Sequence, residues 1–160
     1  MNTSPEARPD GAGVRVAILR SAFHAAIVDG LLAGARGALR EAGVADDAIA
    51  VIDVPGAFEL PLAAAAAAHA DRFDAIVALG AVIRGETDHY EHIAREASAG
   101  LAAVSRETGV PVGFGVLTVE TEGQATARAA AGPGNKGAEA ARAALAMVHV
   151  MRSLRGGTRG

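Results

Sequence analysis

Four short apolar runs, each followed by a stretch with helical spacing, most narrow the folds open to this chain. The runs are "VRVAIL" (14–19), "IAVIDV" (49–54), "DAIVALG" (74–80) and "VPVGFGVLT" (110–118). After the first, Ile27, Leu31, Ala35 and Leu39 recur at i+4 with Val28 and Leu32 beside them, predicting a helix over 25–42 that Gly43 ends. Pro61 suits the first turn of an alanine-rich helix reaching about Ala70. A long helix is expected over 88–108, a short one over 122–130 and a long one over 136–154. Strands that alternate with helices pair in parallel through βαβ crossovers, so the pattern predicts a three-layer α/β/α fold. Residues 14–154 form one expected domain. Residues 1–13, polar with Pro and Gly, and the short basic stretch 155–160 carry too little apolar surface to offset ordering and are expected to be flexible.

Composition removes several function classes. A net charge of −3 provides no basic footprint for nucleic acid. With no cysteine there are no disulfides, thiolate chemistry or cysteine–zinc sites. The longest apolar run, "LPLAAAAAA" (60–68), falls short of the roughly 18 residues a membrane span requires. "MNTSPEARPDGAG" has no apolar core of a secretory signal, so a cytoplasmic location is the expectation.

In open α/β sheets ligands bind beyond the carboxyl ends of the strands, which directs attention to 20–24, 55–59, 80–89 and 115–121. Of five aromatic residues, Phe23 and Phe58 fall just past the first two strands and Phe114 within the fourth. Rings so placed either stack on a flat ligand or cap the core at the sheet edge. The loop "GAVIRGETDHYEHIAREAS" (80–98) concentrates Arg84, Glu86, Thr87, Asp88 and His89 where a helix begins. A helix start offers unpaired N–H groups and suits an anion, and Thr87 or Asp88 can cap it. An imidazole at position 89 is placed either to exchange protons there or simply to face solvent. His89, His92 and Glu96 follow one helix face, but a metal needs a third ligand and a supporting shell that the sequence does not place. "GPGNKG" (132–137) lacks the G-K-[ST] ending and the preceding strand of a Walker loop.

Four blocks together resemble the lumazine synthase family: "VPGAFELP" (54–61), "ALGAVIRGETDHYEHI" (78–93), "ETGVPVGFGVLT" (107–118) and "GNKGAEAA" (134–141). They occur in the family's order, and the likeness spans about 14–152. The resemblance implies a flavodoxin-like topology with a four-stranded parallel sheet. It also implies condensation of 5-amino-6-(D-ribitylamino)uracil with 3,4-dihydroxy-2-butanone 4-phosphate to 6,7-dimethyl-8-ribityllumazine, the penultimate step of riboflavin biosynthesis, with no metal and no organic cofactor.

Carried over residue by residue, the resemblance implies that Phe23 stacks on the pyrimidine and that Ala57, Phe58 and Glu59 line the ring and ribityl pocket. Ala81, Val82 and Ile83 would bind the pyrimidine through their backbone. Glu86 and Thr87 would hold phosphate, and His89 would transfer protons. Phe114, Arg128 and Lys136 would come from a neighbouring subunit, with Arg128 on the phosphate. Homopentamers, a 60-subunit icosahedral shell and association with riboflavin synthase are further implied partners. Three positions depart from the family pattern: His24 stands where asparagine is frequent, Glu86 where a smaller or uncharged residue is common, and Ala131 where a lysine often follows the arginine by three residues. A flavin- or lumazine-binding module without turnover and a shell protein with a decayed site are the rival classes; His89, Arg128 and Phe23 favour the enzyme.

Overall fold

The computed structural model describes residues 10–156. Its strands are β1 (Val16–Ser21), β2 (Ile49–Val54), β3 (Ala75–Ile83) and β4 (Val112–Val119). The helices are α1 (Ala25–Glu41), α2 (Leu60–His69), α3 (His89–Thr108), α4 (Glu122–Ala129) and α5 (Lys136–Gly156). The strands form one parallel sheet in the order β2-β1-β3-β4. This is the flavodoxin-like arrangement, whose order reverses between β1 and β3 and opens a crevice beyond their carboxyl ends.

Side-chain alternation along the strands divides the core between two faces. Val16, Ile18, Val77 and Leu79 pack with α1, α4 and α5, through Leu31, Leu39, Ala125, Ala141 and Leu145. Ala17, Leu19, Ile76 and Ala78 pack with α2 and α3, through Leu60, Ala64, Leu101 and Val104. Covered on both faces, β3 is buried along nearly its whole length, which is why it reads as a continuous apolar run. The predicted apolar stripe of α1 is the buried one: Ile27, Val28, Leu31, Ala35 and Leu39.

Several boundaries differ from the sequence expectation. Strand β3 continues to Ile83, three residues past the expected end, because β4 pairs with it residue by residue as far as Val119. The edges of the expected flexible segments are also packed. Gly11 N–H donates to the Ala42 carbonyl at 2.8 Å, and the His149 ring contacts the Asp10 carbonyl. Helix α5 runs to Gly156, past the expected boundary at 154, and Arg155 donates to the Gly109 carbonyl at 3.1 Å. The remainder of those expected segments, 1–9 and 157–160, lies outside the described residues. Gly109 adopts φ 72°, the left-handed conformation that closes α3 and that side chains disfavour.

Candidate functional site

The carboxyl ends of β1, β2 and β3 carry the first group of expected site residues. Ala22 N–H donates to the Val54 carbonyl at 2.9 Å, which fastens the loop after β1 to the loop after β2. The Phe23 ring and the Glu59 carboxylate both lie beside Gly56, where an added Cβ would come within 3.4 Å of the ring and 3.2 Å of the carboxylate. A single turn of 3₁₀ helix over Ala57–Glu59 then leads into α2. It buries Ala57 and leaves Phe58 exposed. Ala81 and Val82 are buried strand residues, and Ile83 is half-buried at the strand end.

Phe23 is 68% exposed, Phe58 57% and Phe114 47%. A ring that capped the core would hide most of its surface. Phe23 and Phe58 keep more than half of theirs open and Phe114 just under half, which leaves apolar faces open to a ligand or a neighbouring chain.

From Arg84 through His89 the chain is exposed. Asp88, the residue before α3, makes no side-chain cap, while Thr87 Oγ1 accepts the His89 N–H at 3.4 Å. Among the described residues, the N–H groups of Glu86, Thr87 and Asp88 enter no hydrogen bond with protein. They adjoin the positive end of a 20-residue helix, a combination that favours an anion. Arg84 is engaged elsewhere, 3.6 Å from the Glu120 carboxylate across the ends of β3 and β4.

A second group lies along β4. Phe114, Arg128 and Lys136 share a hollow of about 230 Å³ alongside β4. In the sheet Phe114 pairs with Ala78, whereas Ile83 pairs with Val119. Phe114 therefore lies five positions before the end of β4. Strand β1, which leads into the Phe23 loop, ends opposite Leu79 on the far side of β3, so Phe114 and Phe23 are set two strands apart across the sheet. Arg128 is exposed, its guanidinium donating only to the Gln124 carbonyl at 3.0 Å, with no carboxylate partner among the described residues. Lys136 pairs with Glu139 at 2.9 Å, a partly exposed i,i+3 contact.

A sequence profile described as 6,7-dimethyl-8-ribityllumazine synthase matches residues 13–152. The chain belongs to the lumazine synthase family. Three proteins named 6,7-dimethyl-8-ribityllumazine synthase are similar to it over most of both lengths. That of Edwardsiella ictaluri (strain 93-146) is 55% identical over 142 residues, covering 88% of this chain and 91% of the relative. That of Halorhodospira halophila (strain DSM 244 / SL1) is 52% identical over 140 residues, covering 88% and 90%. That of Yersinia pestis (strain Pestoides F) is 52% identical over 143 residues, covering 89% and 92%. The chain is therefore an enzyme, and its reaction is the transferase-type condensation characteristic of the family in riboflavin biosynthesis.

Two further features bear on the site. Among the described residues no three His, Asp or Glu side chains gather as a metal would require. Asn135 is a residue the sequence reading passed over: it is 2% exposed and stands between Arg128 and Lys136 in the α4–α5 turn. The signal is local, since asparagine just before a helix is a favoured N-cap, but the stretch reads first as a phosphate loop and as part of a family block. Among the described residues, no helix is long and apolar enough to cross a membrane.

Proposed function

We propose that this protein joins 5-amino-6-(D-ribitylamino)uracil to 3,4-dihydroxy-2-butanone 4-phosphate in sites shared between neighbouring subunits. The observation that supports the shared site is that Phe114, Arg128 and Lys136 line one hollow along β4, on the far side of β3 from the strand that leads into the Phe23 loop. Either group alone is an incomplete site. Set against the strand ends of a second copy, the hollow brings an unpaired guanidinium to an anion-favouring helix start.

The chemistry then follows. The pyrimidine stacks on Phe23, with Ala57, Phe58 and Glu59 beside its ribityl chain and the backbone of Ala81, Val82 and Ile83 along its polar edge. The butanone phosphate binds through the N–H groups near Glu86 and Thr87 and through Arg128 of the adjoining copy. The Glu86 carboxylate is exposed and repels phosphate unless it faces away, so its N–H is the contact assigned to it. The ribityl compound's amine attacks the ketone, water leaves to form an imine, phosphate is eliminated, and the ring closes with loss of a second water. His89, in the first turn of α3 beside the anion, accepts and returns the protons these steps displace. Arg128 and the helix start stabilise departing phosphate. Holding two small substrates in one orientation supplies much of the remaining acceleration.

A ring of copies satisfies every such site at once, because the contact is heterologous and closes by rotation. We assign a pentamer as that ring. The α4–α5 turn, Arg128 to Lys136, carries no insertion, and a 60-subunit shell and association with riboflavin synthase follow as the larger assembly. The assigned compartment is the cytoplasm. The test is to mix both substrates with purified protein and follow lumazine absorbance, green fluorescence and inorganic phosphate. The proposal expects equal amounts of lumazine and phosphate, formed faster than without protein. An unchanged rate would overturn it.

A further inference from the structure

We infer that Asn135 is a positioning residue for the phosphate half of the site, an inference that rests on the roles proposed for Arg128 and Lys136. Its side chain is buried, yet every polar atom on it is used. The two N–H groups of Asn135 Nδ2 face three carbonyls, Gly30 in α1 at 3.0 Å, Ala129 at 2.9 Å and Ala130 at 3.1 Å, so that one N–H is shared between two of them. Asn135 Oδ1 accepts the Ala138 N–H at 3.0 Å and so caps α5.

One carboxamide thus ties together the end of α4, the start of α5 and the middle of α1. Arg128 is one residue before the first α4 carbonyl it holds, and Lys136 is the first residue of the helix it caps. The surrounding backbone is shaped to admit it. A Cβ at Gly34 would overlap the carboxamide, and one at Gly30 would press on the Ala129 carbonyl. Aspartate has the same shape but no N–H, and would set a carboxylate oxygen against three carbonyls. Serine retains an oxygen for the cap and loses the reach to α1.

The angle at which Arg128 and Lys136 leave the turn therefore depends on a side chain that touches neither substrate. Steady-state kinetics on Asn135→Ser, Asn135→Asp and Gly34→Ala separate this from a role in stability alone. Gly34→Ala leaves Asn135 chemically intact and displaces it. Each variant that folds and assembles should show a roughly tenfold fall in kcat/KM for the butanone phosphate. Weaker competition by inorganic phosphate should accompany it, with lumazine binding changed less than about twofold. Lowered thermal stability with unchanged kinetics for the phosphate substrate would overturn the inference. So would equal losses toward both substrates, or failure of all three variants to fold. Wild-type turnover in the same assay separates a failed reaction assignment from a failed role for Asn135.

Discussion

Truncating Phe23 separates ligand stacking from packing, because the two roles move different measurements. An aromatic side chain contributes roughly 200 Å² of burial. With Phe23 68% exposed, about 140 Å² of that remains open in the isolated chain. A stacked heterocycle covers one ring face, or about 70 Å², which at ~25 cal/mol per Å² is close to 2 kcal/mol. Contacts to the Gly56 region that survive without ligand subtract from this figure, so Phe23→Ser should weaken lumazine binding by about 1–2 kcal/mol. That is a roughly 5- to 30-fold rise in Kd. Phe23→Trp keeps a flat face and should bind within about threefold of the parent. Folding stability should hardly respond, since surface substitutions usually fall within about 0.5 kcal/mol. Fluorescence titration with lumazine gives Kd and a thermal melt gives stability. A Phe23→Ser protein that melts several degrees lower yet binds lumazine as before would refute the stacking argument.

His89→Ala should lower kcat by roughly 10- to 10³-fold while substrate affinity changes much less; an unchanged kcat would remove His89 from the mechanism. Residual turnover is expected, because the condensation also proceeds slowly without enzyme. Arg128→Lys should fail to restore full activity, since lysine lacks the planar fork that grips phosphate, and the defect should fall on the butanone phosphate. A loss confined to the pyrimidine would show that role to be misassigned. Sedimentation at micromolar protein and neutral pH should show the 60-subunit shell; a sole species of pentamer mass would refute the shell, and an active monomer both assemblies.

The layers and the parallel sheet could be read from apolar periodicity because that signal is local. Leu31 faces the core for the same reason that it lies four residues from Ile27 and from Ala35. Strand ends were less legible: the extension of β3 to Ile83 depends on pairing with β4, a long-range contact without local signature. The helix starting near Asp88 was expected, and so was a cap, but only the structure distinguishes Thr87, which accepts an N–H, from Asp88, which does not. Exposure of Phe23, Phe58 and Phe114 could not be deduced from aromatic residues near strand ends, which serve equally as core caps. The cap at Asn135 has a local signal, but its tie to Gly30 in α1, 105 positions away, has none. The two-part division of the site came with the family resemblance, since no single stretch of sequence displays it.

Subunit mixing tests the shared site most directly. His89→Ala damages the strand-end group and Arg128→Ala the β4 hollow, so each homogeneous assembly carries a defect in every site. When equal amounts are co-assembled at random, a site is intact if one copy supplies His89 and its neighbour Arg128, giving about one quarter of wild-type activity (one half times one half) from a heterologous ring contact. Recovery to that level is the predicted result. Activity no greater than the mean of the two separate variants, in assemblies shown to contain both, would contradict a site built from two copies.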